Sequence, residues 1–417
     1  MSAAAPVSWT ELFDAQGTAD FTLAVRVIKK AGQPFLIVPD SGALAAQALA
    51  LYPAQSKFAR LARLALGAAL RMGLPLGLER AVIRLSRSDP FAQFLIDTLS
   101  GQARFGEQTS RSPSPQPAPL GRGSKRASRW LSRAVWNGAT PSWKGHKATG
   151  EKSESFPALA ILAGNPRVAG RRFIVLPFDA GGKPACVVKA GIGESARRLI
   201  QRESLFLQSA PARISGLPKF YAAFNSERVA ALALGYVAGD SPVSEDRQVM
   251  GKLFTSWLDR ENRLGLGDVP AWQTLAQVQA ANPLFQRLAA KLARINFHPT
   301  LFHGDFAPWN IKVSRADGFW QILDWERGER VGFPGWDWFH YVTQTGILVE
   351  KLSAEEVAGK IEGLLESAAF REYAATAGMA GSERVLVVAY LFYCVEVLRP
   401  TEGLETARKL LALFAER

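Results

Sequence analysis

The sequence contains few cysteines and no long apolar run, and both absences limit the class of protein. Its two cysteines, Cys186 and Cys394, are too few for a disulfide-rich secreted scaffold. They fall in a predicted strand and a predicted helix, where we expect buried free thiols. No stretch reaches the roughly 18 uncharged apolar residues that a membrane-spanning helix needs. The first residues lack the basic and apolar regions of a signal peptide. We therefore expect a cytoplasmic location.

Acidic residues are almost missing from one segment. Residues 101–150 carry nine Lys or Arg and one acidic residue, a net charge of +8 out of +13 for the whole chain. The Pro/Ser-rich residues 112–119 predict an extended linker, and the basic residues that follow are interleaved with Trp130 and Trp136. Three interpretations stay open: a solvated tether, weak contact with an anionic membrane surface, or non-specific contact with nucleic acid.

Apolar residues are plentiful elsewhere, at 48% of 417 positions, which is enough for sizeable cores in more than one domain. Near the amino terminus, residues 21–28 and 34–38 predict a hairpin, residues 42–72 a helical region broken at Pro53, and residues 91–99 a short helix. These elements predict a small α+β module over residues 1–105, whose role the sequence does not indicate.

The most informative stretch begins at His303-Gly304-Asp305. Asn310 follows Asp305 by five residues, and Asp324 follows Asn310 by fourteen, at the end of the strand-like residues 320–323. The first separation is that of the Asp and Asn in the catalytic loop of protein kinases, and Asp324 stands where their D-F-G aspartate stands. Phosphoryl transfer needs a base that orients the acceptor hydroxyl and hard oxygen ligands for Mg²⁺. The alternative interpretation is a surface turn before a buried strand.

Together with Asp337, these residues resemble the aminoglycoside phosphotransferase and choline kinase family of small-molecule kinases. The resemblance covers residue 158 to the carboxyl terminus. It implies that Asp305 is the catalytic base and that Asn310 and Asp324 are Mg²⁺ ligands. It also implies that Asp337 is structural and holds the catalytic loop from the start of a helix.

Upstream residues supply the nucleotide half of the same resemblance. Two strand-like runs, at residues 173–176 and 186–189, predict a hairpin whose second strand ends in Lys189. By resemblance Lys189 contacts the phosphates, and Glu203, fourteen residues later in a predicted helix, is its ion-pair partner. The alternatives are a surface lysine that ends an edge strand and a solvated glutamate. Gly164 begins a predicted turn over the phosphates, and the backbone near Gly235 and Val237 is implied to meet the adenine at the hinge between lobes.

The sequence therefore predicts an α+β protein with a two-lobed, protein-kinase-like fold: a small β-rich lobe, a helical lobe, and an α+β module before them. We predict residues 1–105 as this module, 106–155 as linker, 156–238 as N-lobe and 239–417 as C-lobe. Helices are predicted at 249–258, 284–293, 354–377, 385–398 and 405–416.

The implied activity is transfer of the γ-phosphoryl of ATP, with Mg²⁺, to a hydroxyl of an amino alcohol, aminoglycoside or sugar-like molecule. Glu326 and the aromatic residues Trp325, Trp338 and Tyr341 are candidates for the acceptor pocket, because aromatic rings beside a carboxylate suit a cationic or sugar-like group. The same aromatic residues fit a lobe core equally well. The competing hypothesis is a catalytically silent kinase fold that binds a nucleotide or a partner.

Overall fold

The structure is a computed structural model. It describes residues 9–14, 19–30, 32–52, 57–101, 156–164, 170–211 and 213–415. The predicted linker at 106–155 and residues 165–169 of the predicted phosphate loop lie outside the described residues.

An antiparallel sheet of eight strands dominates the amino-terminal half of the described chain. Its strands lie in the order β3-β1-β2-β4-β5-β6-β8-β7. The predicted hairpins are both confirmed, since β1 pairs with β2 and β5 pairs with β6. The strands are β1 (Phe21–Lys30), β2 (Gln33–Pro39), β3 (Glu79–Leu85), β4 (Leu159–Ala163), β5 (Arg171–Pro177), β6 (Cys186–Ile192), β7 (Phe220–Asn225) and β8 (Val229–Gly235).

The sheet runs without a break from the amino-terminal strands into the N-lobe. β2 pairs with β4, with Leu36 opposite Leu162 and Ile37 opposite Ile161. Side chains alternate between the faces of a strand, so Ile161 joins the apolar core on one face and Leu162 the core on the other. The sequence predicted a module that precedes the lobe; its strands extend the sheet of the lobe itself. The boundary at residue 105 stays a prediction.

Four helices accompany this sheet. Asp89 starts one of them, since its Oδ1 accepts a hydrogen bond from the Phe91 nitrogen at 2.8 Å and a proline follows at the first helical position. The break predicted at Pro53 falls between two of the helices, so the helical prediction for this region is confirmed. The helices are α1 (Gly42–Ala48), α2 (Lys57–Arg71), α3 (Pro90–Ser100) and α4 (Glu194–Ser209), and α4 lies against β6 and β8.

The carboxyl-terminal half consists mainly of helices packed around one large apolar core, with short strands in the connections between helices. These strands are β9 (Gly239–Asp240), β10 (Thr300–Phe302), β11 (Ile311–Ser314), β12 (Trp320–Ile322) and β13 (Glu329–Gly332), paired as β12-β11-β9 and β10-β13. The helices are α5 (Arg247–Trp257), α6 (Pro270–Gln279), α7 (Pro283–Leu292), α8 (Trp336–Gln344), α9 (Ala354–Leu365), α10 (Ala368–Ala377), α11 (Glu383–Tyr393) and α12 (Leu404–Ala415).

The expected α+β architecture with a β-rich lobe and a helical lobe is therefore present, with one local correction. The helix predicted over residues 354–377 is two helices, α9 and α10. Ser367 divides them, because its hydroxyl accepts a hydrogen bond from the Phe370 nitrogen and begins a new helix. Among the described residues, none of the helices has both the length and the apolar character needed to cross a bilayer.

Candidate active site

The loop between β10 and β11 carries the predicted catalytic residues, and Asp337 of α8 binds the backbone of this loop through hydrogen bonds. The Asp337 carboxylate accepts hydrogen bonds from the backbone nitrogens of His303 at 2.7 Å and Gly304 at 3.0 Å. Gly304 has φ of +76°, and a Cβ there would lie 3.1 Å from the Cβ of Arg327. A glycine is therefore required at this close approach of two loops.

Burial raises the pKa of Asp337 to about 7, although the hydrogen bonds from His303 and Gly304 act in the opposite direction. The resemblance implied a structural role for Asp337 at the start of a helix. The contacts agree with this prediction, because both carboxylate oxygens fix the backbone of the loop.

His303 connects the catalytic loop to the strand that leads to Asp324. The Asp305 nitrogen donates to His303 Nδ1 at 3.2 Å, so that ring nitrogen carries no proton. The proton lies on Nε2, which donates to the Leu323 carbonyl oxygen at 2.8 Å. Burial lowers the pKa of His303 to about 4, which agrees with a neutral ring. This connecting role was not predicted from the sequence.

Asp305 and Asn310 are in direct contact. The Asn310 amide nitrogen donates to the Asp305 carbonyl oxygen at 2.9 Å and to its Oδ2 at 3.0 Å. Both partners are acceptors, so the amide nitrogen of Asn310, and not its oxygen, faces Asp305. Burial disfavours the charge of Asp305, but hydrogen bonding to His340 and nearby positive charge, including that of Arg327, together outweigh it and hold the pKa of Asp305 below its ordinary value.

Asp324 follows β12 in a backbone conformation that is uncommon for a residue with a side chain, with φ of +69° and ψ of +55°. β12 pairs with β11, and the Leu323 nitrogen donates to the Asn310 carbonyl oxygen at 2.7 Å. The hairpin therefore brings Asp324 beside the end of the catalytic loop. A left-handed aspartate is tolerated but strained, and such strain is often found at functional sites.

Lys189 joins the two lobes at this site. Its Nζ lies 2.8 Å from both carboxylate oxygens of Glu203 on α4 and 2.9 Å from Asp324 Oδ1. Glu203 also accepts a hydrogen bond from the Trp325 nitrogen at 3.2 Å, and the Phe206 ring stacks on Trp325 at 4.7 Å. The sequence placed these groups in two separate lobes, and the structure brings them together.

The charged groups of this cluster shift one another's pKa values. Burial disfavours the ammonium of Lys189, but Asp324 and Glu203 outweigh burial and raise its pKa. Burial likewise works against the carboxylate of Asp324, but Lys189 and the charge of Arg172 together outweigh it, so the pKa of Asp324 is lowered. Burial and the charge of Asp324 raise the pKa of Glu203, while the charge and the hydrogen bonds of Lys189 act in the opposite direction.

Arg172 on β5 and Glu326 form a second ion pair between the lobes, close to the first. The charge of Arg172 acts on Asp324 as well. Sequence analysis offered Glu326 for the acceptor pocket and did not single out Arg172. The two residues are 154 positions apart, so no local sequence pattern indicates that they pair.

Three residues were predicted to contact the nucleotide: Gly164, Gly235 and Val237. They lie at the ends of strands or in the segment that follows. The Gly164 nitrogen donates to the Arg172 carbonyl oxygen at 2.7 Å, and a Cβ on Gly164 would lie 2.7 Å from that oxygen, so the residue serves close strand contact. Gly235 ends β8, where its nitrogen donates to the Lys219 carbonyl oxygen at 2.7 Å. Val237 is half-buried in the segment between β8 and β9. The nucleotide contacts of all three stay predictions.

The aromatic acceptor candidates lie in the core of the helical lobe. Trp325 and Trp338 are fully buried and Tyr341 nearly so. Trp338 packs against Phe254 and Phe370, with ring centroids 5.3 Å apart in both cases. These three aromatic residues are therefore part of the lobe core. Of the four acceptor candidates, Glu326 alone is partly exposed.

A model of the phosphotransferase enzyme family matches residues 151–377, which is more than half of the sequence and includes every predicted site residue. The chain belongs to the phosphotransferase enzyme family. The match agrees with the resemblance of the catalytic-loop motif. A search of curated proteins finds no match.

Solved structures show a more distant likeness. A thermostable mutant of an aminoglycoside phosphotransferase, in complex with ADP and hygromycin B, is 14% identical, with 61% of this chain and 93% of that chain covered and a TM-score of 0.39. An ethanolamine kinase from Plasmodium vivax is 12% identical, with 61% and 82% covered and a TM-score of 0.42. A choline kinase from Cryptosporidium parvum is 10% identical, with 62% and 88% covered and a TM-score of 0.37.

Two of the oxygen donors at this site fit a magnesium ion. The Asp324 carboxylate and the Asn310 amide oxygen are hard ligands, and Mg²⁺ is commonly held by one or two carboxylates plus phosphates and water. The described residues contain no group of three or more His, Cys, Asp or Glu side chains that encloses a metal. Two protein donors leave the other coordination positions of such an ion to phosphate and water oxygens.

Proposed function

We propose that this family member moves the γ-phosphoryl group of ATP, with Mg²⁺, to a hydroxyl group of a small molecule. The observation that supports it most is the contact of Lys189 with both Glu203 and Asp324. That contact joins the predicted phosphate-binding lysine to the predicted metal ligand across the two lobes. Transfer of this kind relies on positioning and charge stabilisation, since the protein performs little covalent chemistry.

In this proposal Asp305 orients the acceptor hydroxyl and receives its proton. A lowered pKa keeps Asp305 ionised, which is the form that accepts a hydrogen bond. Asn310 holds one Asp305 oxygen, so the carboxylate does not rotate freely. The orientation of Asp305 is thus set before an acceptor arrives.

Asp324 and Asn310 would hold Mg²⁺, which supplies positive charge to the phosphates when bound. Support for a cation comes from the ion pairs of the cluster: Lys189 is paired with Glu203 and Asp324, and Arg172 with Glu326. A polyphosphate that enters such a site needs further positive charge, which an accompanying cation supplies. Lys189 would then exchange its bond with Asp324 for a bond with a phosphate.

The acceptor is proposed as an amino alcohol, an aminoglycoside or a sugar-like alcohol. The support is Glu326, a partly exposed residue two positions after Asp324, because an ionised carboxylate there favours a cationic acceptor. Burial and the neighbouring Asp324 raise the pKa of Glu326, while Arg172 acts against both. A neutral sugar alcohol needs no such charge, so Glu326→Gln distinguishes the classes: it weakens use of a cationic acceptor and spares a neutral one.

Purified full-length protein tests the proposal directly. ATP consumption is measured with panels of amino alcohols, aminoglycosides and monosaccharides, with Mg²⁺ and with excess chelator. We expect acceptor-dependent ADP release that requires Mg²⁺ and is lost in Asp305→Asn. If ATP binds but no acceptor in any class stimulates turnover, the catalytically silent alternative is favoured. The intact set of Lys189, Asp305, Asn310 and Asp324 speaks against that alternative, since a silent fold has no chemical need for all four.

A further inference from the structure

Helix α2 has two unlike faces. On one side Leu70 is fully buried, and a Cβ on Gly67 would lie 3.6 Å from the Leu49 side chain, so this side packs against the α1 region. On the other side Phe58, Leu61 and Leu64 are 80%, 65% and 66% exposed. Their spacing of three residues places them along one stripe of the helix. Met72, just past the end of α2, continues the stripe. These four residues are called the α2 face below.

The α2 face concentrates exposed apolar side chains in one place. Of the eleven large apolar side chains that are exposed in the described residues, five fall between positions 58 and 74: those of the α2 face and Leu74. Singly exposed apolar residues are normal on a soluble protein, but a contiguous group marks an interaction surface. Leu70, and Leu66 with partial burial, are the α2 side chains that join the apolar core beneath the helix.

In the sequence around this stripe the charge has one sign, although one of the basic residues, Arg63, is paired with Asp240 on the inner side of α2. From residue 57 to residue 78 the sequence carries four basic residues and no acidic residue. Arg71 is exposed, and at seven residues from Leu64 it falls on the same side of the helix. A helix with bulky apolar residues on one side and only basic charge beside them is typical of one that lies in the interface of an anionic membrane.

We propose that the α2 face docks on an anionic lipid surface. Phe58, Leu61 and Leu64 enter the boundary between headgroups and acyl chains, and Arg71 meets the lipid phosphates. Charge decides between the possible occupants. A second copy of this chain would bring the same basic helix against α2, and like charges repel. A nucleic acid would satisfy the arginines but would leave a stripe of Phe and Leu without an apolar partner.

The α2 face is held in a fixed position on the fold. Arg63, on the inner side of α2, donates to Asp240 Oδ1 at 2.6 Å and to the Tyr52 carbonyl oxygen at 3.1 Å. Asp240 lies in β9, just after the segment between the lobes, and also accepts from Arg315 at 2.7 Å. The helix is therefore formed and anchored before it meets a membrane, so docking does not require the helix to fold on the lipid, and it brings the hinge segment near the membrane surface.

A fluorescent reporter tests this location. The two native cysteines are buried, so a cysteine introduced as Leu61→Cys in the full chain is the accessible thiol for an environment-sensitive dye. Leu205→Cys on α4 is the matched control, because Leu205 is 66% exposed and Leu61 is 65% exposed. The labelled proteins are mixed with vesicles of phosphatidylglycerol and phosphatidylcholine, and with vesicles of phosphatidylcholine alone.

We expect a blue shift for the label at position 61 with phosphatidylglycerol vesicles, reversal of the shift in high salt, and no shift at position 205. In co-sedimentation, Phe58→Gln with Leu64→Gln should weaken vesicle binding at least about tenfold, as the loss of two interfacial apolar anchors predicts, while Leu205→Gln leaves it unchanged. Vesicle binding without a shift at position 61 would overturn the proposal, because another part of the chain would carry the contact. A concentration-dependent shift at position 61 without vesicles would overturn it in favour of self-association. No binding to either vesicle would also overturn it.

Discussion

His340 lies directly behind Asp305: its Nε2 is 3.3 Å from Asp305 Oδ1. The other carboxylate oxygen of Asp305 accepts the hydrogen bond from Asn310, so both oxygens have a partner that fixes their direction. On the far side of the ring, His340 Nδ1 lies 3.1 Å from the Tyr390 hydroxyl. Tyr390 is buried, and burial raises its pKa well above the ordinary value, so the hydroxyl keeps its proton. The chain from Tyr390 through His340 to Asp305 positions the proposed base.

We predict that His340→Leu lowers kcat about tenfold or more while the KM for ATP changes little, since a misplaced base reduces turnover and not nucleotide binding. His340→Gln should restore most of kcat, because its amide nitrogen is able to donate to Asp305 from nearly the same place. His298→Leu is the control, a histidine bonded to the Asp259 and Asn262 carbonyl oxygens. If His340→Gln is as impaired as His340→Leu, hydrogen bonding is not what His340 supplies.

Asp305→Asn should leave the fold and Mg·ATP binding largely intact and lower turnover at least about a hundredfold, the low end for a positioned acid–base group. Asparagine keeps the size and the hydrogen bond to His340 or Asn310 but does not accept the proton. Steady-state turnover with the acceptor found in the screen is the measurement, with ATP binding by calorimetry as the fold control. Near-normal turnover in Asp305→Asn would remove Asp305 from the role of base.

Asp324→Ala should abolish the tightening of ATP binding by Mg²⁺, whereas Lys189→Ala should weaken ATP binding and turnover even when the metal is present. The reason is that one side chain is proposed to hold the metal and the other the phosphates. ATP is titrated with and without Mg²⁺. Asp317→Ala in the same hairpin and Lys183→Ala in the β5–β6 turn are the matched exposed controls. An Asp324→Ala protein that responds fully to Mg²⁺ contradicts the assignment.

Sequence analysis predicted most of the helices and strands, but it did not predict which distant strands and side chains pair with one another. The catalytic-loop separations lie within a short chain segment, so spacing and the family resemblance were enough to propose Asp305, Asn310 and Asp324, whose roles stay predictions. His340 was missed although a signal existed: it lies three residues after Asp337 on one helix, so both face the same loop. β3 was missed because exposed Val82 interrupts its alternation of apolar and polar residues.

Other features have no local signal at all. The ion pair of Arg172 with Glu326 joins residues that are far apart in sequence, and nothing near either position indicates the other. The pairing of β2 with β4 likewise spans the predicted linker. Composition correctly indicated strands on both sides of that linker, but the choice of a neighbouring strand depends on the whole sheet and not on either segment alone.

The neutral state of His303 predicts a pH dependence of stability. Its pKa is about 4 in the folded protein and near 6.5 when unfolded, so the unfolded chain binds the extra proton between these values. The contribution of His303 is complete above about pH 6.5 and is lost as the pH falls to about 4, to a total of about 3 kcal/mol. Asp337, with a pKa raised to about 7, has the opposite slope, so a comparison with a variant is needed.

We therefore expect the difference in unfolding free energy between wild type and His303→Gln to be largest near pH 7 and to shrink toward pH 4. Urea unfolding at each pH measures it, with His298→Gln as the control whose difference from wild type should not follow this curve. A wild-type advantage that is constant from pH 7 to pH 4 would mean that His303 is not held neutral by the loop.

The continuous sheet predicts that the amino-terminal strands are part of the kinase-like lobe in solution. The facing residues Leu36, Ile37, Ile161 and Leu162 are all buried, and each buried side chain of this kind contributes about 2 kcal/mol. A chain that starts at residue 151 would expose the edge of β4 and both of its apolar faces. We expect it to aggregate or to unfold at a clearly lower temperature than the full chain.

A cut chain separates the loss of the strands from the loss of covalent connection. A specific protease site is introduced at residues 112–119 and cleaved after folding. We expect the two fragments to elute together in gel filtration, to retain the melting temperature of the uncut chain, and to separate only in denaturant, because the β2–β4 pairing and the shared cores hold them. If the fragments separate in buffer and the carboxyl-terminal one keeps its melting temperature and Mg·ATP binding, residues 1–105 form an independent module and the shared sheet does not stabilise the lobe.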